Sequence, residues 1–143
     1  MIRQLEVGDR EGWQRLWRGY LHFYRGDVPD EVTSTTFTRL CEASGGLLGL
    51  VAVEDGGDPA GFAHLVFHPS TWSGTTYCYL EDLYVDPRHR GTGTARQLIE
   101  AVYEQADWRG ASRTYWATQE FNSPARSLYD VVARRTSFII YER

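Results

Sequence analysis

Residues 76–107 read TYCYLEDLYVDPRHRGTGTARQLIEAVYEQAD, and the fold turns on this stretch. Its first part, 76–85, is a run of aromatic and apolar residues of strand length. Pro87, Gly91 and Gly93 then break the chain. From about 93 to 107, Leu98, Ile99, Val102, Tyr103 and Ala106 recur at the spacing of one helix face. A further strand, RTYWAT, is expected at 113–118. A helix that joins two strands in this way is a crossover, so the strands at 76–85 and 113–118 should be parallel. Sheets of this kind hold ligands beyond the carboxyl ends of their parallel strands.

Upstream, residues 2–7 read as a short strand. Asp9 is expected to cap a helix over about 10–25, where Trp13, Leu16, Trp17, Tyr20, Leu21 and Tyr24 form one apolar face. Gly26 and Pro29 end it, and a second helix from Pro29 to Ala43 carries Phe37, Leu40 and Cys41 on its apolar side. The strands 47–54 (LLGLVAVE) and 60–67 (AGFAHLVF) are joined by Asp55-Gly56-Gly57-Asp58, a hairpin signal. Downstream, Asn122 or Ser123 caps a helix with Pro124 in its first turn, and 137–141 (SFIIY) reads as a last short strand. The order βααβββαβαβ gives an α/β (α+β) domain over 1–143. Its mixed, mostly antiparallel sheet has one parallel strand pair and is flanked by about four helices.

The chain of 143 residues has 15 basic side chains, all of them arginine, and 19 acidic ones, for a net charge of −4. That balance disfavours sequence-independent nucleic-acid binding, which runs on basic contacts to phosphate. No apolar run has the length of a membrane span, and Met-Ile-Arg-Gln-Leu-Glu does not open a signal peptide, so a cytoplasmic protein is expected. Cys41 and Cys78 form no disulfide framework, and with the histidines they make no metal-ligand spacing. The charge is divided: residues 1–87 carry 13 acids and 6 arginines (−7), residues 88–143 carry 6 acids and 9 arginines (+3). An acidic front and a basic back suit a site that meets a cation on one side and an anion on the other.

The segment Arg88-His89-Arg90-Gly91-Thr92-Gly93-Thr94-Ala95 supplies the anion side. Glycines leave backbone N–H groups uncovered, and a helix N-terminus adds partial positive charge, a cradle for pyrophosphate. It is no Walker loop, because the chain has no lysine. It lacks the third glycine of a dinucleotide fingerprint, since Arg96 stands there.

The string YLEDLYVDPRHRGTGTARQLI resembles the acetyl-CoA-binding strand, loop and helix of the GNAT superfamily of N-acetyltransferases. That signature is Gln or Arg, two residues, Gly, one residue, then Gly or Ala, and Arg90, Gly93 and Ala95 fill it. NSPARSLYDVVA is similar to the family's later motif, with an Asn at a strand exit and a Tyr on the helix. Within the superfamily, Tyr79-Leu80-Glu81-Asp82, Asn122 and Tyr129 are most similar to the diamine (spermidine/spermine) acetyltransferases and to the fungal histone and polyamine acetyltransferases. The chain departs from the family in stopping about one strand after the Tyr129 helix and in lacking a glycine before Phe138. The resemblance implies either a strand supplied by a second subunit, and so a homodimer with C-terminal strand exchange, or a sheet that ends there.

The resemblance also implies acetyl-CoA as co-substrate, no metal, and a small cationic amine as acceptor, attacked directly in a ternary complex. The pantetheine arm would pair with the backbone of Leu83, Tyr84 and Val85. Backbone amides of Arg90, Gly91, Thr92, Gly93, Thr94 and Ala95 would hold the pyrophosphate, with Arg88 and Arg90 as charge partners and Arg126 at the nucleotide end. An amine of pKa about 10.4 is neutral in only about 1 of 2,500 molecules at pH 7, a handicap of roughly 4–5 kcal/mol. A carboxylate that binds the ammonium and takes a proton, directly or through water, answers that need. Glu81 is expected in this role, with Asp82 as the neighbour that binds the amine. On an unbroken strand the two point to opposite faces, so one site uses both only if a bulge interrupts the alternation. Tyr129 would protonate the departing CoA sulfur, and Asn122 would cap its helix, or bond the pantetheine or a catalytic water. His64, His68 and His22 read as satisfied structural residues rather than bases. Two alternatives stand beside this reading: a protein lysine or N-terminal acetyltransferase, and a non-catalytic acyl-CoA-binding regulatory domain.

Overall fold

The computed structural model describes all 143 residues. In chain order its elements are β1 (Ile2–Gln4), α1 (Arg10–Phe23), α2 (Asp30–Glu42), β2 (Leu47–Val53), β3 (Pro59–Pro69), β4 (Thr76–Val85), α3 (Thr94–Trp108), β5 (Arg113–Tyr115) and α4 (Ser123–Val132). The strands form one sheet in the order β1-β2-β3-β4-β5. Every pair is antiparallel except β4–β5, the parallel pair that the crossover helix requires. The hairpin between β2 and β3 turns at Gly56 and Gly57, both with positive φ. None of the helices is long and apolar enough to cross a membrane.

Each face of the sheet buries its own core. On one face α1 and α2 bring Trp13, Leu16, Trp17, Phe37 and Leu40 onto Val51 and Phe62. On the other, Leu98, Ile99, Val102 and Ala106 of α3 pack on Leu50, Ala63, Leu65, Cys78 and Leu80. Leu128, Tyr129 and Val132 of α4 join that second core, and the Tyr103 hydroxyl ties α3 to α4 by donating to the Val132 carbonyl at 2.8 Å.

Three expectations are corrected. Residues 137–141 form no strand: Phe138, Ile139, Ile140 and Tyr141 are exposed, because an apolar run becomes a strand only against a partner and none reaches it in this chain. The strand at 113–118 ends at Tyr115, since β4 and β5 part there. Asp9 precedes α1 but does not cap it through its side chain. Its carboxylate is taken instead by Arg3, at 2.8 and 2.9 Å, and by the Glu6 N–H at 2.8 Å.

Candidate active site

Strand β4 changes the face it shows halfway along. His64 of β3 pairs with Asp82, and the next residue, Leu65, pairs with Leu80, so Glu81 is left without a partner in a bulge. Before the bulge Cys78 and Leu80 face the α3 core. After it Leu83 and Val85 do so, while Tyr84 turns to the α1 core. The bulge interrupts the alternation at Glu81, and of the two acids Glu81 lines the cleft where β4 and β5 part while the Asp82 carboxylate meets His64 at 2.9 Å.

The last parallel pair is Tyr79 with Tyr115. Beyond it β4 continues through residues 80–85 with no strand on its outer side, while 116–118 diverge. The opening is a cleft lined by Tyr20 and Tyr24 of α1, Leu80, Glu81 and Leu83 of β4, Trp116, Ala117 and Thr118, and Tyr129 of α4. The structure therefore brings Glu81, Leu83 and Tyr129 to one place. Burial first, and the Asp82 charge second, raise the Glu81 carboxyl above its ordinary value. Burial pushes the Tyr129 phenol up to about 12, so it keeps its proton across the physiological range. Tyr20 lies beside the Asp82 carboxylate, and burial, then that charge, raise its phenol too.

Asn122 sits at the N-cap position of α4 without capping it through its side chain. Its amide nitrogen lies 3.5 Å from the Thr118 hydroxyl, at the cleft's edge. Arg126 donates to the Glu120 carbonyl.

Past the end of β4, Gly91 and Gly93 take positive φ of 77° and 85°, and a Cβ on either would meet nothing within 4 Å. Gly93 occupies the N-cap of the 15-residue helix α3. The backbone N–H groups of residues 91–96 donate to no group of the protein, while that of Arg90 makes a long 3.5 Å bond to the Pro87 carbonyl. Consecutive free donors at a helix N-terminus fit a pyrophosphate, and the open outer edge of β4 fits an extended amide-bearing arm. The residues present suit acetyl-CoA. Arg90 folds back, its Nε donating to the Val85 carbonyl at 3.2 Å. Arg88 bonds Asp86 at 2.9 Å while its own side chain remains largely exposed.

Sequence reasoning missed Tyr20, Tyr24, Trp116 and Thr118 as cleft residues, and it missed the contact of His64 with Asp82. Tyr20 and Tyr24 carry the same periodic signal as the core residues of α1, so spacing alone does not separate them. The His64 contact depends on strand register, which only the bulge sets.

A family model described as the acetyltransferase (GNAT) family matches residues 13–131. The chain is 38% identical over 144 residues to the D-amino-acid N-acetyltransferase of Saccharomyces cerevisiae, covering 100% of this chain and 89% of that one. It is 40% identical to the thialysine N-epsilon-acetyltransferase of Caenorhabditis elegans over 54% of this chain and 48% of that protein. Among solved structures, the fold is similar to the ribosomal-protein-alanine N-acetyltransferase of Brucella melitensis biovar Abortus 2308, with a TM-score of 0.81, 23% identity and coverage of 100% and 98%. It is similar also to AAC(6')-Iy in complex with a bisubstrate analog, with a TM-score of 0.85, 22% identity and coverage of 100% and 96%.

Proposed function

The chain belongs to the GNAT family and is an acetyl-CoA-dependent N-acetyltransferase, and we propose that its acceptor is a small cationic primary amine bound between Glu81 and Tyr129. The observation that carries this reading is the bulge at Glu81, which turns a carboxylate into the cleft where β4 and β5 part. Acetyl-CoA supplies the activated acetyl thioester. Glu81 takes the proton from the incoming ammonium, a role its raised pKa suits, because a base of moderate strength is the better acceptor near neutral pH. Asp82 adds a second negative charge beside it, and the rings of Tyr20, Tyr24 and Trp116 give a cation apolar, electron-rich walls. Tyr129, protonated, donates to the leaving sulfur.

A second acceptor class, small amino acids, is favoured by the full-length likeness to a D-amino-acid N-acetyltransferase. A panel of spermidine, L-lysine, D-lysine, thialysine, kanamycin and neutral D-amino acids, assayed with acetyl-CoA for thiol release, separates the two. Release with the cations supports the first reading. Release with neutral D-amino acids alone replaces it, and release with no amine overturns both. The free cysteines Cys41 and Cys78 are in keeping with a reducing compartment, and we place the enzyme in the cytoplasm.

The exposed segment Phe138-Ile139-Ile140-Tyr141 and the outer edge of β5 are both unsatisfied in one chain. A second copy of the chain answers both at once, each tail adding as a strand to the other's β5, and we take the enzyme to be such a homodimer.

A further inference from the structure

His64 is buried on β3, in a position the chemistry above does not use, and both of its ring nitrogens are engaged. Nε2 lies 3.0 Å from Nε1 of Trp13, and Nδ1 lies 2.9 Å from Oδ2 of Asp82. An indole N–H can only donate. Nε2 must therefore accept with its lone pair, which leaves the ring proton on Nδ1, where it donates to Asp82. The ring cannot swing. Phe62 stacks on it with centroids 4.3 Å apart at 12°, and Trp13 and Trp17 close on it at 5.8 and 5.4 Å.

We propose that His64 is a positioning residue for amine binding: with its tautomer set by Trp13, it donates from Nδ1 to Asp82 and fixes that carboxylate beside the Glu81 bulge. The inference rests on the reading of Asp82 as part of the acceptor site. Asp82 is the first residue after the bulge, where regular pairing resumes and sets it opposite His64, and it is half-buried beside Tyr20. His64 binds Oδ2, Tyr20 flanks the same carboxylate, and Oδ1 is the oxygen proposed to meet the ammonium. The arrangement also removes His64 as a catalytic base, because its only lone pair is held by Trp13. The sheet and α1 thus cooperate: α1 sets the tautomer, β3 carries the ring, and β4 carries the acid.

The test measures kinetics with acetyl-CoA and whichever amine of the panel is turned over fastest. His64→Leu should raise the amine KM about tenfold or more, the usual effect of losing a hydrogen bond to a charged group, with little change in kcat or in acetyl-CoA affinity. His64→Asn, whose side-chain amide stands near the Nδ1 position, should restore most of the loss. In an Asp82→Asn background, His64→Leu should have no further effect. An unchanged amine KM in His64→Leu, or the same loss in both backgrounds, overturns the inference. An Asp82→Asn variant with wild-type amine KM overturns the reading of Asp82 on which it rests, and the inference with it. A panel in which no amine reacts does the same. Should His64→Leu fail to fold, Trp13→Phe answers, because it frees Nε2 and lets the proton leave Nδ1. The amine KM should then rise, and an unchanged value overturns the inference. In the wild-type protein, imidazole 15N shifts at pH 7.5 should show the proton on Nδ1, and a proton on Nε2 overturns it.

Discussion

Tyr129 meets Trp116 edge to face, with ring centroids 5.4 Å apart and planes at 73°. Trp116 is the first residue past β5 and Tyr129 lies on α4, so this contact fixes the phenol in the cleft where the parallel strands part. Tyr129→Phe keeps the ring and the contact and removes only the donor. It should lower kcat at least about tenfold while leaving acetyl-CoA affinity unchanged, as loss of a positioned acid does. Single-turnover kinetics check this, and an unchanged kcat assigns the leaving-group proton elsewhere.

Glu81 must be ionised to accept a proton, and its pKa is raised by burial and by Asp82. The rate should therefore climb with pH through a value above the ordinary carboxylate range, not at it. Glu81→Gln should lower kcat/KM at least about tenfold and abolish that acidic limb. Asp82→Asn should shift the limb downward, because it removes the like charge that helps raise Glu81. Rate profiles between pH 5 and 9 for the three proteins give the answer.

Much of this site is readable in the sequence. The strand at 76–85, the glycine loop and the following helix are all where their residue pattern puts them, because strong periodicity and glycine breaks act locally. Glu81 and Tyr129 stood out through the resemblance to the family rather than through local pattern, and both line the one cleft. Local pattern fails at the C-terminal segment, where SFIIY has the apolar content of a strand but no neighbour in its own chain. It fails at Asn122 and Asp9, each in place for a helix cap: Arg3 and the Glu6 N–H hold the Asp9 carboxylate, and the Asn122 amide lies nearest Thr118. The His64–Asp82 pair was hidden for a third reason. A one-residue register shift decides which β4 side chain faces His64, and residue identity does not encode that shift.

The glycine loop offers a test of cofactor binding apart from chemistry. Gly93 holds φ at 85° where α3 begins, and a methyl group there would touch nothing within 4 Å. Gly93→Ala therefore carries only the backbone cost of a left-handed residue, roughly 1–2 kcal/mol, and relieves it by turning the free N–H groups away from their common focus. Acetyl-CoA affinity measured by calorimetry should fall about tenfold. The amine KM at saturating acetyl-CoA should not move.

The tail makes a prediction about assembly. Phe138 and Ile140 are 84% and 78% exposed, a pair that no isolated chain covers. Phe138→Asp with Ile140→Asp should convert a dimer to a monomer in sedimentation at micromolar concentration, with thermal stability falling as strand pairing is lost. A wild-type protein that sediments as a monomer ends the strand-exchange reading.

Asp86 anchors the start of the glycine loop, and its contribution to stability should depend on pH in a defined direction. The carboxylate is 6% exposed. It accepts from the Arg88 N–H at 2.9 Å, the Arg88 guanidinium at 2.9 Å and the Arg15 guanidinium at 2.8 Å. Arg88's hydrogen bonds first, with Arg15's added, hold the carboxyl well below the usual carboxylate range. Both guanidinium groups are more than a third exposed, at 44% and 71%. Water therefore screens the pairs, and Asp86→Asn should cost only about 1–2 kcal/mol. A depressed folded-state pKa stabilises fully above the unfolded carboxylate value of about 3.9 and loses that stabilisation as pH falls through the lower folded value. The deficit of Asp86→Asn in urea unfolding should hence be constant from about pH 5 to 8 and shrink below about pH 4. A deficit that instead grows on acidification would mean that Asp86 is protonated in the folded protein and that Arg15 joins α1 to the loop by some other acceptor.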